Sequence, residues 1–329
     1  MTGFRIFAAG ISLAVATGCG GSAGGVVPDG PFGAVTRAVH RDRGASWMDH
    51  DAVSRARLLY VTDVLDGDVY VLSLPTGKLV GKLTGFNRPT GDCVDGQGNV
   101  FVADSQDGSI REFHHGAKEP SNVLNDSGYT PLGCSVDPVS GNLAVTNSTG
   151  NRNRSGAGNV AIYKKAKGAP RYYSDKSIKE YGFCAYDTLG NLYFNAATPV
   201  LLAELPRAAK TFVRLNLDHG NGEAEGAMQW DGKHLAIGIG TRTIYEYAIQ
   251  GDKGIETGST QLGNSTSVLG FWISGARVYA PVYENSLGSV GVYRYPAGGK
   301  AKQQYYAVIN PWSATLSVKQ ESQRSGAHL

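Results

Sequence analysis

The sequence has no strong excess of charge of either sign. Its 329 residues contain 31 Lys and Arg against 28 Asp and Glu, a formal net charge of +3. A general nucleic-acid binder should show a concentrated basic excess, so this class of function is excluded. The apolar stretch near the N-terminus, Ile6 to Val15, is roughly half the length that a membrane-spanning helix needs.

The motifs of catalysis and metal binding are also missing. None of the seven histidines has His-Glu-x-x-His spacing, no Cys-x-x-Cys pair occurs, and there is no Gly-x-Ser-x-Gly elbow or phosphate loop. Gly238-Ile239-Gly240 ends a predicted strand with no helix after it, which is typical of a turn. His114-His115 is predicted to be solvated. The sequence therefore predicts no catalytic residue, no metal and no cofactor.

Residues 1–18 have the pattern of a secretory signal, with Arg5, an apolar stretch and small residues. Ala16-Thr17-Gly18-Cys19 resembles a bacterial lipobox, in which Cys19 carries the lipid, although Ala16 stands where Leu is usual. Cleavage after Ala16, which would release a soluble exported protein, is the alternative. Residues 19–57 are predicted to be a flexible tether and 319–329 a disordered tail. We therefore expect an exported protein, either a lipoprotein of the cell envelope or extracellular.

What the sequence does contain is a repeat with a period of 41 to 50 residues. Its clearest copy runs from Pro89 to Leu124 and reads as four short strands separated by Gly-rich turns. With Asp95 as a register mark, the equivalent residues are Asp137, Asp187, Asp231 and Ser274. Four strands per repeat of this length are typical of a β-propeller blade.

The phase of the repeat predicts how the ring closes. The first unit begins at Leu58 with a second strand, and no inner strand precedes it. Pro311 to Val318 repeats the form of the inner strands Pro89 to Val94 and Pro131 to Val136, and no strand follows it. We therefore predict an all-β, six-bladed propeller over residues 58–318, closed by a C-terminal strand that completes the first blade.

The blade motif resembles the NHL repeat family. Pro89 to Phe113 follows its pattern of Pro-x-Gly-x-x-Val-Asp, Gly-Asn-x-Phe-Val-Ala-Asp and an Ile-Arg-x-Phe strand. The resemblance covers about four-fifths of the chain and implies the propeller fold. It says little about function, because such propellers include enzymes, ligand binders and protein-docking platforms.

Three cysteines lie on predicted inner strands. Relative to the register residue, Cys134 and Cys184 are at position −3 and Cys93 is at −2, so Cys93 points the opposite way. If −2 faces the next blade, Cys93 and Cys134 meet; otherwise no pair meets. We expect three buried thiols, and a disulfide is the alternative.

The two faces of the disc are predicted to differ in charge. Every third-to-fourth turn carries a lysine, and we expect these lysines to form a rim that faces the membrane: Lys78, Lys118, Lys167, Lys210, Lys253 and Lys300. We expect this because the tether is predicted to enter the fold on that side, at Leu58. The opposite face is acidic and has the longest loop, 147–158, so it is the predicted binding face. Its candidate ligand-binding residues are Asp92, Asp104, Tyr129, Asn147, Asn151, Arg152, Tyr181, Glu223, Glu225 and Trp312.

Two functions remain open on these grounds. We expect a monomeric, non-catalytic platform that binds a protein or carbohydrate partner of the cell envelope. The alternative is a metal-dependent lactonase, because Glu225 to Asp231 resembles the Glu-Gly-Pro-x-Trp segment of the gluconolactonase family. In that family the segment lies in the first blade and contains Pro, whereas here it lies in the fifth blade with Ala227 at that position. Further ligands would have to come from residues such as Asp104, Asn147 or Asn195.

Overall fold

The structure is a computed structural model that describes residues 44–126, 128–150, 156–218, 226–238, 242–263, 265, 268–284 and 287–320. Within these ranges the chain forms 25 β-strands and two single turns of 3-10 helix, Ala52–Ser54 and Lys164–Ala166. None of the helices described there has the length and apolar character needed to cross a membrane.

The first 24 strands follow one another along the chain in six units of four, and the last strand, β25, adds a fifth to the first unit. The first three units contain β1 (Trp47–Met48), β2 (Arg57–Asp63), β3 (Asp68–Ser73) and β4 (Lys78–Leu83); β5 (Pro89–Val94), β6 (Val100–Asp104), β7 (Ser109–Phe113) and β8 (Asn122–Asn125); and β9 (Pro131–Val136), β10 (Leu143–Thr149), β11 (Ala157–Tyr163) and β12 (Arg171–Tyr173). The other three contain β13 (Glu180–Tyr186), β14 (Leu192–Thr198), β15 (Val200–Leu205) and β16 (Val213–Leu217); β17 (Met228–Trp230), β18 (Leu235–Gly238), β19 (Thr243–Gln250) and β20 (Lys253–Gln261); and β21 (Trp272–Ser274), β22 (Arg277–Glu284), β23 (Leu287–Arg294) and β24 (Gly298–Tyr305). The last strand of the chain is β25 (Pro311–Val318).

The C-terminal strand β25 lies beside β2, which gives the first unit the order β1-β4-β3-β2-β25. The two strands are antiparallel over their whole length, with Arg57 opposite Val318 and Asp63 opposite Pro311. The Ser313 amide also donates to Thr62 Oγ1 at 3.1 Å. The pairing therefore gives the first unit four full strands, although they come from opposite ends of the chain.

Apolar side chains on both faces of each sheet pack against a neighbouring unit. Leu58 and Tyr60 of β2 share one core cluster with Val100 and Val102 of the second unit. Leu59 and Val61, which alternate with them, share another cluster with the sixth unit. Residues of both parities along a strand are buried for this reason.

The units also meet at their inner and outer strands. Inner strands of consecutive units are in contact from β25 to β5, β9, β13 and β17, and β21 contacts β25. Between β17 and β21 the Gln229 side chain bonds both the amide and the carbonyl of Ile273. The outer strands β16 and β20 pair in parallel, so the fourth and fifth units form one eight-stranded sheet.

The aspartates at the ends of the second strands β2 and β6, Asp63 and Asp104, accept hydrogen bonds from backbone amides, but from different partners. Asp63 accepts hydrogen bonds from the amides of Leu65 and Asp66 in the turn that follows it, and also from Asn310. Asp104 accepts mainly from the amides of Asn87 and Arg88, in the loop that leads into the inner strand, and at the longer distance of 3.5 Å from the Asp107 amide in the turn that follows it. These carboxylates join two loops on one face of the disc.

The last part of the predicted tether is folded, which corrects the expectation for residues 44–57. Trp47–Met48 (β1) pairs with the outer strand β4, and Met48 occupies the space that a side chain at Gly81 would fill. Ala52 is fully buried, and the Arg55 carbonyl accepts a hydrogen bond from His115 Nε2 at 2.8 Å. The segment is ordered because it supplies a hydrogen-bonding partner to an edge strand and buries apolar atoms.

This segment also reverses the side on which the chain enters the fold. β4 begins at Lys78, on the face of the lysine turns, and the antiparallel β1 runs back toward that face. Residue 44 therefore lies at the opposite end, where Thr84 donates a hydrogen bond to the Gly44 carbonyl. The lysine rim was predicted to face the membrane because the tether would enter at Leu58 on the lysine side. The described chain instead begins on the opposite side, so this reason does not hold.

Candidate binding cavity

A cavity of about 340 Å³ lies between the inner strands at the centre of the disc. The inner strands approach closely because the Pro-x-Gly motif places glycine at the contact: a Cβ at Gly91 would lie 2.4 Å from the Leu132 carbonyl oxygen. Aromatic rings contribute much of the apolar wall, namely Phe183, Tyr186, Trp230, Phe271 and Trp272.

The cavity is at the end of the inner strands where the first-to-second turns begin. Asp187 and Thr188 of one such turn and Asp231 and Gly232 of another line it. In an antiparallel unit these turns share a face with the third-to-fourth turns, which carry the six lysines. The cavity is therefore on the lysine face, and not on the acidic face that was predicted to bind.

Asp92 is the candidate ligand-binding residue that lines this cavity. Both of its carboxyl oxygens are shielded from solvent, and neither meets a donor in good hydrogen-bond geometry among the described residues. Burial raises the pKa of Asp92 to about 7, while Ser313 and the Thr315 backbone oppose the shift. A neutral carboxylic acid can therefore exist here near physiological pH.

A disulfide joins the second and third units in the wall of the cavity. Cys93 and Cys134 are bonded across adjacent inner strands, with their Cα atoms 5.7 Å apart. Position −2 thus faces the next unit, and the expectation of three thiols is wrong. Cys184 remains free and buried, and burial raises the pKa of its thiol to about 12.

Two exposed aliphatic side chains stand on first-to-second turns of the same face. Leu189 is 67% exposed and Val139 is 47% exposed, and each lies two residues after the register aspartate of its unit. The neighbouring residues Thr188 and Pro138 line the cavity. The cavity is therefore flanked by apolar side chains that the fold itself does not bury.

Four other candidate ligand-binding residues are inside the protein. Tyr181 and Trp312 are among the largest fully buried side chains, and Asp104 and Asn147 are also fully buried. Tyr181 stacks on Phe194, and the Asn147 amide donates to Asp126 and Asn159. Their size and hydrogen bonds serve the packing of the units, so they do not form a ligand-binding surface.

Tyr129 is partly buried and packs on Tyr172, with 5.0 Å between ring centroids. The remaining candidates, Asn151, Arg152, Glu223 and Glu225, as well as Cys19, lie outside the described residues. All six rim lysines are exposed, in the third-to-fourth connections (Lys118, Lys167 and Lys210) or near the start of the fourth strands (Lys78, Lys253 and Lys300).

The residues considered as partners of Glu225 in a lactonase site are bonded within the protein. Asn195 accepts from the Phe183 amide at 2.6 Å and donates to the Gly226 carbonyl at 2.7 Å. Asp104 is held by two backbone amides and Asn147 by two side chains. These residues act as internal braces of separate units.

Sequence reasoning missed the cavity, although a signal for it existed. In the fourth and fifth units the residue just before the register aspartate is aromatic, Tyr186 and Trp230, whereas the second and third units have Val94 and Val136 there. All four line the cavity. The change from valine to an aromatic residue at one repeat position marks a wall that differs from unit to unit.

Comparisons with known proteins bear on the fold alone. No family model matches the chain, and no curated protein matches it either. Among solved structures it is similar to a β-propeller chain in the crystal structure of a nidogen/laminin complex, with a TM-score of 0.63 and 13% sequence identity. The match covers 80% of this chain and 100% of that chain. The protein has a β-propeller fold.

Proposed function

We propose that this protein is an exported propeller of six blades, closed by β25, that binds a protein partner of the cell envelope and catalyses no reaction. The closure rests on the pairing of β25 with β2 and on the contacts between consecutive inner strands. The NHL-like blade motif supports the same architecture.

The observation that carries the proposal is the composition of one face. The aromatic cavity, the exposed Val139 and Leu189, and the six exposed lysines all lie on it. Aromatic and aliphatic groups inside a polar, charged rim are the usual arrangement of a protein-binding surface. Because the rim is basic, the partner presents acidic groups around an apolar contact. Aliphatic side chains favour a protein over a carbohydrate.

The path of the N-terminal segment gives the protein an orientation. A lipid on Cys19 would connect to residue 44, which lies at the rim on the acidic side. The acidic face would then be directed toward the membrane and the cavity face away from it, where a partner has access. This orientation is the reverse of the one that the sequence predicts.

Two observations support export. Residues 1–18 have the composition of a secretory signal. The disulfide between Cys93 and Cys134 fits an oxidising compartment.

Site-specific photo-cross-linking in the native host tests this function. A photoreactive residue at Leu189, on the cavity face, should form a protein adduct that Val139→Asp abolishes. The same residue at the exposed Asn125, at the end of β8 on the acidic face, should form none. Adducts from position 125 alone, or equally from both positions, would contradict the assigned face. Adducts that resist protease and yield to glycosidase would contradict the partner class.

A further inference from the structure

Three side chains with metal-binding atoms converge in the fifth unit. Asp231 and His234 belong to the turn between β17 and β18, and Glu246 projects from β19. Their donor atoms all lie within 4.8 Å of one another, and His234 Nδ1 is 3.4 Å from Asp231 Oδ2. The group is next to the central cavity, because Asp231 also lines that cavity.

The equivalent turns of other units show what is special here. In the second and fourth units the register aspartate accepts backbone amides through Oδ1, and Oδ2 accepts the side-chain amide of an asparagine at 2.8 Å (Asp95 with Asn99, Asp187 with Asn191). In the fifth unit Asp231 Oδ1 still accepts two backbone amides, from Lys233 and His234. Its Oδ2 faces an imidazole instead of an amide. A fixed donor in the turn is thus replaced by a ring nitrogen that can bind metal.

The charge of the group favours a bound cation. The Asp231 and His234 side chains are 9% and 15% exposed, and Glu246 is buried. Within the part of the chain that is described, neither carboxylate makes an ion pair with Lys or Arg. Two neighbouring carboxylates removed from water are costly unless a positive charge lies between them.

Outer partners hold the ligands in place. The Tyr295 hydroxyl donates to Asp231 Oδ2 at 2.7 Å, and Thr260 Oγ1 lies 3.2 Å from Glu246 Oε1. Metal sites depend on such second contacts, which orient the ligating atoms before the ion arrives. The ring of Tyr295 comes from the sixth unit, so the site would join two units.

We propose that Asp231, His234 and Glu246 bind one divalent transition-metal ion, which we assign as Zn²⁺. One imidazole nitrogen with two carboxylate oxygens is a donor set that suits zinc, and calcium and magnesium prefer oxygen alone. Three protein ligands leave a fourth position for water or for a group of a molecule in the adjoining cavity. This inference does not depend on the proposed protein partner.

Zinc titration of the exported chain, purified without an affinity tag and stripped with chelator, tests the proposal. Competition with a chromophoric chelator should give one Zn²⁺ per chain. His234→Ala should lower the affinity by more than the roughly 10- to 100-fold that loss of an outer partner causes, and Tyr295→Phe should fall within that range. X-ray absorption of the bound zinc should show one imidazole and no sulfur ligand.

Matched variants separate this site from surface binding. Glu204 is the residue of the fourth unit that corresponds to Glu246. Glu204 pairs with Tyr193 of the second strand, as Glu246 pairs with Ala236 in the fifth unit. Glu204→Gln should therefore leave zinc binding unchanged. The exposed His114 serves the same purpose in His114→Ala. If His234→Ala does not fold, Glu246→Gln replaces it, and its zinc affinity should also fall below that of the control variants. No stoichiometric zinc on the parent chain, or equal loss in the control and site variants, would overturn the proposal.

Discussion

The disulfide between Cys93 and Cys134 allows a quantitative test of how adjacent blades are held together. The cysteines are 41 residues apart in sequence and sit on neighbouring inner strands. Closing a loop of this length in the unfolded chain removes conformational entropy worth about 4 kcal/mol at 25 °C. With about 2 cal/mol/K of unfolding entropy per residue, a domain of this size would lose about 7 °C in Tm without the cross-link.

The assay compares thermal and denaturant unfolding of the parent chain with Cys93→Ala/Cys134→Ala. Cys184→Ala is the control, because it removes a buried sulfur without touching the cross-link. The free energy of unfolding of the double variant should fall by twice the effect of that control, for the two lost sulfurs, and by about 4 kcal/mol more for the lost cross-link. An effect no larger than twice the control would refute the reasoning. So would alkylation of Cys93 and Cys134 in unreduced, denatured protein, where Cys184 is expected to react and those two are not.

Three other perturbations test the interior and the N-terminal segment. Burial raises the pKa of Asp92 to about 7 from an ordinary value of 3.8, so the native state keeps a proton that the unfolded chain releases. The free energy of unfolding should therefore fall by on the order of 4 kcal/mol as pH rises from about 4 to about 7. Urea unfolding at a series of pH values should show this slope in the parent chain and not in Asp92→Asn. Burial lowers the pKa of His115 below its ordinary 6.5, so stability should also fall as pH drops below that value, and His115→Gln, which can still donate to the Arg55 carbonyl, should lessen this fall. Deleting residues 1–56 should lower Tm because β1 and the buried Ala52 are lost, whereas deleting 1–43 should not, and equal melting of both deletions would restore the idea of a free tether.

The strand pattern was predictable because it is local. Each unit alternates short apolar strands with Gly-rich turns, and the form of Pro311 to Val318 identified it as an inner strand before its partner was known. The Pro-x-Gly motif has a physical reason in the contact at Gly91, where no side chain fits against the next inner strand.

The sites were harder to predict because they depend on contacts between units. Nothing in the order of residues fixes whether position −2 faces the next unit or the previous one, so the pairing of Cys93 with Cys134 stayed open. Aromatic residues at the ends of inner strands, such as Tyr181 and Trp312, give the same sequence pattern whether they bind a ligand or fill the core. In this structure they fill the core. Trp47–Met48 is too short to be recognised as a strand, and only the free edge of β4 makes it one.

The most direct test of the account is the role of the C-terminal strand in closing the ring. Hydrogen exchange should be compared between the full chain, a chain ending at Asn310 and a chain ending at Gln320. The account predicts that loss of β25 removes the exchange protection of β2 and β3, because the ladder from Arg57 to Asp63 loses its inner partner. The chain ending at Gln320 should exchange like the full protein. Unchanged protection of β2 in the chain ending at Asn310 would contradict a propeller closed by its last strand.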